Sequence, residues 1–560
     1  MADEQLAIAT GGPADLTGDT IGDALGRMVA GQPDRDALVS RHQGIRQTYG
    51  ELGATVDEVA RGLLGVGIEK GDRVGIWSPN NAEWTWLQFA AASVGAILVN
   101  VNPAYRPGEL RYALEQSGVR LLVTAASFKS SDYLEMLASI RAELPLLERV
   151  VTIEADGETA RAAGPDDLVW SELVAAGANV DASALAARQA TLDAHDAINI
   201  QYTSGTTGNP KGATLTHHNI LNNARIAAQL LGYGPDDRVC IPVPLYHCFG
   251  MGIGNLGCVA SGATMVYPAP SFEPLATLEA IAAERCTSIY GVPTMFIGQL
   301  EHPGFDGFDL TSLRTGMMGG APCPVEVMKR VVTDMHATEL CIIYGMTETA
   351  PISFMTRPDD DLDRRVSTVG RLMPGGDAKL VDPASGEVVS RGTTGEVCTK
   401  GYLVMQGYWN DDAATAGAID DEGYMHTGDL GVLDADGYLN IVGRSKDMVI
   451  RGGENLFPRE IEEVLFTHPA VAGAQVVGVP DERLGEELMA WVVVRDGMAL
   501  TEDDVRAFCR ERLAHFKVPR YVKFVDEFPM TVTGKIQKFK MREVAIDELG
   551  LHAAAGIVTA

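Results

Sequence analysis

Tyr202-Thr-Ser-Gly-Thr-Thr-Gly-Asn-Pro-Lys211-Gly212 decides how the chain is read. Four small hydroxyl residues, Thr203, Ser204, Thr206 and Thr207, stand among Gly205 and Gly208, and Lys211 follows. Glycines permit unusual φ and close backbone approach, while hydroxyls, amides and a lysine are all donors, so the stretch suits phosphate oxygens. It is not a Walker A loop. Counted from Gly205, that pattern needs a second Gly at its sixth position, then Lys and Ser or Thr. Pro210 and Gly212 occupy the places of the second Gly and the hydroxyl residue. Alone, the stretch reads equally as a flexible Ser/Thr/Gly hairpin.

Around it, short β-branched runs alternate with Ala/Leu-rich helical stretches. Arg73–Trp77, Ala96–Asn100, Val119–Val123, Arg149–Ile153, Ala263–Tyr267 and Ser288–Val292 read as strands of parallel α/β layers, and Ala82–Val94 as a helix. From about Gly370 to Asn440 the pattern changes to short strands with Gly and Asp turns, such as Gly395–Thr399 and Asp436–Leu439, which predicts a small antiparallel subdomain. After Gly443 a compact α/β unit begins, with helices predicted at Pro458–Phe466 and Glu502–Leu513 and strands at Val471–Val479 and Met489–Val494. The expected fold is α/β: a large N-terminal body of stacked α/β subdomains with a small antiparallel β subdomain, then a small mobile C-terminal α+β domain. The expected boundaries are 1–443 for the body, 444–448 for a hinge and 449–560 for the C-terminal domain.

The 560 residues are too many for one hydrophobic core and suggest roughly three to four folding units. With 45 Lys plus Arg against 75 Asp plus Glu, the net charge is −30, which argues against a general nucleic-acid or anionic-membrane binder. An anionic ligand must then meet local positive charge. One such region runs from Arg510 to Arg542, where nine Lys or Arg face three acids. The eight cysteines are scattered without C-x-x-C, which predicts reduced thiols and no zinc or disulfide framework. The N-terminus lacks a signal-peptide pattern, and the longest apolar stretch, Trp86 to Val99, is too short to span a bilayer. The expectation is a cytoplasmic protein with no nucleic-acid partner, no transmembrane segment and at most peripheral membrane contact; a homodimer is left open.

Further motifs follow in order: Gly319-Gly-Ala-Pro322, Tyr344-Gly-Met-Thr-Glu348-Thr, Tyr424-Met-His-Thr-Gly-Asp429, Gly443-Arg444-Ser-Lys446-Asp-Met-Val-Ile-Arg451-Gly-Gly-Glu454 and Thr533-Gly-Lys535. Singly each has an ordinary explanation: a solvated carboxylate for Glu348, a turn residue for Asp429, a surface ion pair for Arg444, a core ring for Tyr344. As an ordered series from about residue 50 to 540 they resemble the adenylate-forming superfamily of acyl- and aryl-CoA synthetases, peptide-synthetase adenylation domains and beetle luciferases. Pro244-Leu-Tyr-His-Cys-Phe-Gly-Met251 and Gly291-Val-Pro-Thr294 most resemble fatty acyl-CoA synthetases.

The resemblance implies a two-step ligation using ATP, Mg2+ and CoA, with a medium- to long-chain fatty acid as the acid. It gives Thr203, Ser204, Gly205, Thr206, Thr207, Gly208 and Lys211 to the ATP phosphates. Gly320, Ala321, Pro322 and Tyr344 go to adenine, Asp429 and Arg444 to the ribose, and Thr347 to the α-phosphate. Glu348 is the magnesium ligand. Lys535 is the catalytic lysine that stabilises charge during adenylation, and Lys446 is the hinge. Arg451, Gly452, Gly453, Glu454, Lys517 and Arg520 are assigned to CoA. His247, weighed against a satisfied core histidine, is assigned to orienting the carboxylate or gating the acyl pocket, which Phe249, Met251, Met318, Gly320 and Met346 would line with it. The rivals are an aryl- or short branched-acid CoA ligase, an enzyme loading a separate carrier protein, and a catalytically silent ligand-binding homologue.

Overall fold

The computed structural model describes residues 6–154, 162–203, 210–321, 323–444, 446–451, 454–481, 483–530 and 536–552. Local chemistry sets the elements. The helix Ala82–Val94 starts where the Asn81 side chain accepts the Trp84 N–H and stops at the left-handed Gly95. Apart from Trp86 its side chains are buried, because it packs on the helix Tyr49–Gly65 beneath the first sheet. No helix among the described residues is long and apolar enough to cross a membrane.

Two large sheets make the body. The first runs Leu168–Val169, Arg149–Ile153, Leu121–Ala125, Arg73–Trp77, Ile97–Asn100, Ala197–Thr203, Lys211–Thr216, Gly407–Tyr408. It is parallel as far as Ala197–Thr203 and antiparallel over its last two pairings. Thr203 lies opposite Lys211 in that register, so the two described ends of the hydroxyl-rich stretch sit side by side. The second sheet runs Arg371–Leu372, Phe354–Met355, Glu339–Tyr344, Thr315–Gly319, Ser288–Gly291, Arg238–Cys240, Thr264–Tyr267, Asp36–Ser40, Ile45–Thr48. Its interior is parallel and its outer strands antiparallel. The motifs at Thr203, Gly320 and Gly345–Glu348 therefore follow the carboxyl ends of strands, where open α/β sheets bind ligands.

A third, wholly antiparallel sheet joins Ile8–Thr10, Gly376–Val381, Thr394–Gly401, Met425–Leu433 and Leu439–Arg444. Its first strand comes from the N-terminus, which local pattern did not foretell. The strand expected over Asp436–Leu439 is instead a turn: Asp434 Oδ1 accepts the Asp436 and Tyr438 amides, and the strand begins at Leu439.

The C-terminal unit has a five-stranded sheet of Glu454–Leu456, Val449–Arg451, Gly485–Val494 and Val471–Asp481, with Tyr521–Phe524 parallel to Gly485–Val494. The helix Pro458–Phe466 buries Ile461 and Leu465 against it and touches the body through Arg459, whose guanidinium donates to the Ile441 carbonyl at 2.7 Å. The local excess of positive charge is largely answered by acids distant in sequence. Lys517 pairs with Glu460 at 2.6 Å, Arg520 with Asp481 at 2.9 Å, Arg542 with Glu486 at 2.6 Å and Lys538 with Glu462 at 2.6 Å.

Glu462 is 3% exposed and also accepts the Val476 amide at 2.8 Å. Lys538→Met strands this buried carboxylate, so it should cost about 3 kcal/mol. Thermal unfolding should fall by several degrees, with the far-ultraviolet circular dichroism at 20 °C unaltered. An unchanged melting temperature would show that Lys538 is not structural.

Candidate active site

The strand Ala197–Thr203 organises the site through two side chains. Gln201 accepts the Cys248 amide at 3.0 Å and donates to the Met251 sulfur at 3.5 Å, which ties the 247–251 segment to the first sheet. Thr203 donates through Oγ1 to Glu348 Oε1 at 3.2 Å, tying the first sheet to the loop that follows Glu339–Tyr344 in the second. Glu348 is only 4% exposed. Its carboxylate also accepts the Tyr408 hydroxyl at 2.9 Å, and its carbonyl accepts the Met405 amide at 2.9 Å. Tyr408 was absent from the sequence assignments: its Gly-Tyr pair lies 60 residues from Glu348 and carries no spacing signal. Lys211 Nζ stands 5.0 Å from the centre of the Tyr408 ring.

Gly345 makes this loop possible. A Cβ there would lie 2.1 Å from the Pro351 carbonyl oxygen and 2.9 Å from the Ser353 nitrogen, both backbone atoms. Thr347, 8% exposed, sets its hydroxyl 3.7 Å from Cys248 Sγ. Burial pushes that thiol up to about 12, so it remains protonated and unreactive at neutral pH.

On the far side, Asp429 is 7% exposed and held from both oxygens: Tyr344 donates to Oδ2 at 2.9 Å and Arg444 Nε to Oδ1 at 2.9 Å. Asp429 and Arg444 are also backbone partners in the third sheet. Burial, then the neighbouring Asp429 carboxylate, drives the Tyr344 phenol far above its ordinary range, so it stays a donor. The Asp429 carboxylate is the largest influence raising the Arg444 guanidinium, so Arg444 stays charged beside it. Tyr344, assigned to an adenine wall, thus has a second task in fixing Asp429. Glu396 stabilises the turn before it by accepting the Gly428 amide at 3.0 Å.

Beside Thr347 lies an apolar wall. Phe249 stacks on Tyr290 at 5.4 Å, and both share a buried cluster with Met251, Met295 and Met317, onto which Met346 packs. The 249–256 segment is a π-helix, a wide turn common at functional sites. His247 Nδ1 accepts the Phe249 amide at 3.2 Å, so the neutral ring carries its proton on Nε2. Met318 departs from its assignment. The pleat of Thr315–Gly319 puts Met317 in register with Tyr290, on which Phe249 stacks, while Met318 belongs to the cluster of Phe354 on the opposite face. Sequence proximity suggested Met318; the two-residue period selects Met317.

Ser204, Gly205, Thr206, Thr207, Gly208, Pro322, Gly452, Gly453 and Lys535 lie outside the described residues, and Glu454 is described only as the backbone partner of Arg451. Gly320 and Ala321 directly follow the strand Thr315–Gly319. Lys446 lies between the third sheet and the C-terminal sheet, in a turn where the Asp447 and Met448 amides reach the Arg444 carbonyl at 3.1 and 3.0 Å. On the C-terminal unit a cleft of 880 Å³ is lined by Arg451, Arg483, Arg506, Arg510, His515 and Arg520, among others, and includes the acids Asp481 and Glu487. Lys517 is not in that lining, and its ammonium pairs with Glu460.

This geometry agrees with what the chain is similar to. The AMP-binding enzyme family matches residues 25–409, and the C-terminal domain of AMP-binding enzymes matches residues 460–535. The chain belongs to the AMP-binding enzyme family. This AMP-binding enzyme is a ligase of the acyl-CoA synthetase kind. It is 45% identical to YngI of Bacillus subtilis (strain 168), over 97% of this chain and 100% of that protein. The medium-chain acyl-CoA ligase ACSF2, mitochondrial, of Mus musculus is 42% identical over 94% of this chain and 88% of its own. Among solved structures, ATP-bound MatB from Rhodopseudomonas palustris superposes with a TM-score of 0.81 at 31% identity, over 94% of this chain and 99% of that one. The anthranilate CoA ligase AuaEII in complex with anthranoyl-AMP gives 0.83 at 27% identity, over 96% and 99%.

Gly345→Ala should push the Glu348 loop from its place. The clash is with backbone, so relief costs on the order of 2 kcal/mol. The expected result is a lower melting temperature together with at least a tenfold loss of acyl-CoA synthetase activity. Full activity in this variant would show that the loop tolerates displacement.

Proposed function

We propose that the enzyme activates a fatty acid in two steps. The acid's carboxylate oxygen attacks the α-phosphorus of ATP, forming acyl-AMP as the bond to pyrophosphate breaks; the CoA thiol then attacks the acyl carbon and releases AMP. The carrying observation is the buried Glu348 carboxylate between Thr203 and Tyr408 at the carboxyl ends of two sheets, with Lys211 over the Tyr408 ring and Thr347 next in sequence. A buried carboxylate flanked by neutral hydroxyls is a fitting donor set for a hard divalent cation such as Mg2+, which supplies charge neutralisation for the phosphates when bound. In this reading Thr203, Ser204, Gly205, Thr206, Thr207, Gly208 and Lys211 hold the leaving pyrophosphate, Thr347 donates to the α-phosphate, and Asp429 accepts from the ribose hydroxyls. Gly320, Ala321 and Pro322 leave room for adenine, and Tyr344 lines it.

The chain's charge of −30 gives ATP no general attraction, so local cations carry that load. Lys535 is proposed to stabilise the charge that develops as pyrophosphate leaves. It must withdraw before the thiol enters, so the unit after residue 448 is proposed to rotate about Lys446, with 1–443 as the fixed body. Rotation would bring Arg451-Gly452-Gly453-Glu454 to the acyl-AMP, the glycines admitting the pantetheine arm. The arginine-lined cleft with Arg451 and Arg520 is the proposed seat of the CoA phosphates. Lys517, held by Glu460, would then act beside the cleft and not in it. Eight buried free cysteines support a reducing compartment such as the cytoplasm.

The acid is proposed to be a linear medium-chain fatty acid, shading into long-chain. Support comes from the apolar wall of Phe249, Met251, Met317 and Tyr290, which carries no charge to meet a second carboxylate, and from the likeness to a medium-chain acyl-CoA ligase. His247 is proposed to orient the carboxylate at the mouth of this wall. Each buried methylene adds about 0.8 kcal/mol, close to fourfold in affinity. An acid panel read by AMP release with and without CoA should give kcat/KM rising from acetate to octanoate. A higher value for benzoate than for octanoate would favour an aryl-acid ligase, and no acid-dependent AMP release at all would favour a silent homologue.

Lys535→Ala should depress acid-dependent pyrophosphate exchange by two to three orders of magnitude, about 3–4 kcal/mol of transition-state stabilisation. Thioester formation from synthetic acyl-AMP and CoA should stay within about threefold of the native rate. Equal losses in both half-reactions would remove Lys535 from its proposed role.

A further inference from the structure

Tyr408 touches both charged groups that the proposed phosphate chemistry needs, and its position is over-determined. The strand Gly407–Tyr408 closes the first sheet, Ala213 lying opposite Tyr408 and Thr214 opposite Gly407. On either side, the Gln406 amide donates to the Thr214 carbonyl at 2.9 Å and the Trp409 amide to the Gly212 carbonyl at 2.7 Å. The Tyr408 amide itself is bound by Thr415 Oγ1 at 2.8 Å. The ring therefore has little freedom, and what it touches is set by the backbone.

Its hydroxyl donates to Glu348 Oε1 at 2.9 Å, the same oxygen that accepts from Thr203 at 3.2 Å. Two donors on one oxygen restrain the carboxylate's torsion. The face of the same ring lies 5.0 Å from Lys211 Nζ, an attraction that holds the ammonium without neutralising it. An acid in that place would pair with Lys211 and compete with phosphate; a ring does not. The same residue thus presents a carboxylate oxygen to a cation and an ammonium to an anion.

We infer that Tyr408 is a positioning residue that couples the divalent-cation ligand Glu348 to the phosphate-binding Lys211, through its hydroxyl and its ring face respectively. This rests on the reading of Glu348 and Lys211 given above. It makes the two halves of the residue separable. Tyr408→Phe removes the hydroxyl and keeps the ring; Tyr408→Leu removes both.

The test is thermodynamic and needs no turnover. ATP binding without acid is measured by calorimetry in EDTA and again with saturating Mn2+, and the ratio of the two dissociation constants is the metal coupling. Mn2+ uptake is followed in parallel by electron paramagnetic resonance. For Tyr408→Phe the coupling should fall about tenfold, the loss of one hydrogen bond to a charged group, while metal-free ATP affinity stays within twofold. For Tyr408→Leu the metal-free affinity should also fall about threefold. Tyr408→Phe with native coupling overturns the inference. So does an equal loss of metal-free and metal-assisted binding, which marks Tyr408 as a packing residue. Glu348→Gln separates the two levels. If it abolishes the coupling while Tyr408→Phe does not, only the inference fails; if Glu348→Gln leaves the coupling intact, the metal-ligand reading of Glu348 fails as well.

Discussion

The body is organised around one buried carboxylate. Glu348 sits where the carboxyl ends of two independent sheets approach each other, and a charge there demands partners. Thr203 answers from the first sheet, and Tyr408 from the last strand of that sheet, which the chain reaches only after building the whole second sheet. The carboxylate consequently joins three segments far apart in sequence, and Thr203, the Thr347 hydroxyl and Lys211 inherit their places from that junction. Gly345 is the steric condition for it, since the Pro351 carbonyl occupies the space of any side chain there.

A second buried carboxylate, Asp429, follows different logic. Its partners lie beside it in the third sheet and on the end of Glu339–Tyr344, and one of them carries a full positive charge. Asp429 is thereby oriented through both carboxylate oxygens before any ligand arrives. The two acids illustrate opposite arrangements: one held by neutral hydroxyls, the other paired with the Arg444 guanidinium.

Much of this was legible in the sequence because the informative residues stand at strand ends, where Gly, Thr and acidic residues break the β-branched pattern. Arg73–Trp77, Ala82–Val94, Arg149–Ile153 and Pro458–Phe466 follow the periodicity residue for residue. What escaped notice depends on partners and not on pattern. Tyr408 looks like any aromatic before a turn until Glu348 lies beside it. Met317 and Met318 are chemically alike, and only the pleat says which stands with Tyr290, on which Phe249 stacks. The basic run at 510–542 looked like an open surface because its counter-charges, Glu460, Glu462, Asp481, Glu486 and Glu548, come from outside it.

The strand Ile8–Thr10 pairs with Gly376–Val381, and the hairpin of Asp36–Ser40 and Ile45–Thr48 extends a sheet whose neighbouring strand is Thr264–Tyr267. During synthesis these early segments leave the ribosome long before their partners exist. At typical translation rates the wait for residue 381 is on the order of half a minute. For that interval the nascent chain carries unpaired strand edges, which are templates for wrong pairing. The architecture that closes the third sheet with a strand made so early thus places a demand on folding during translation that the stability of the finished enzyme does not describe.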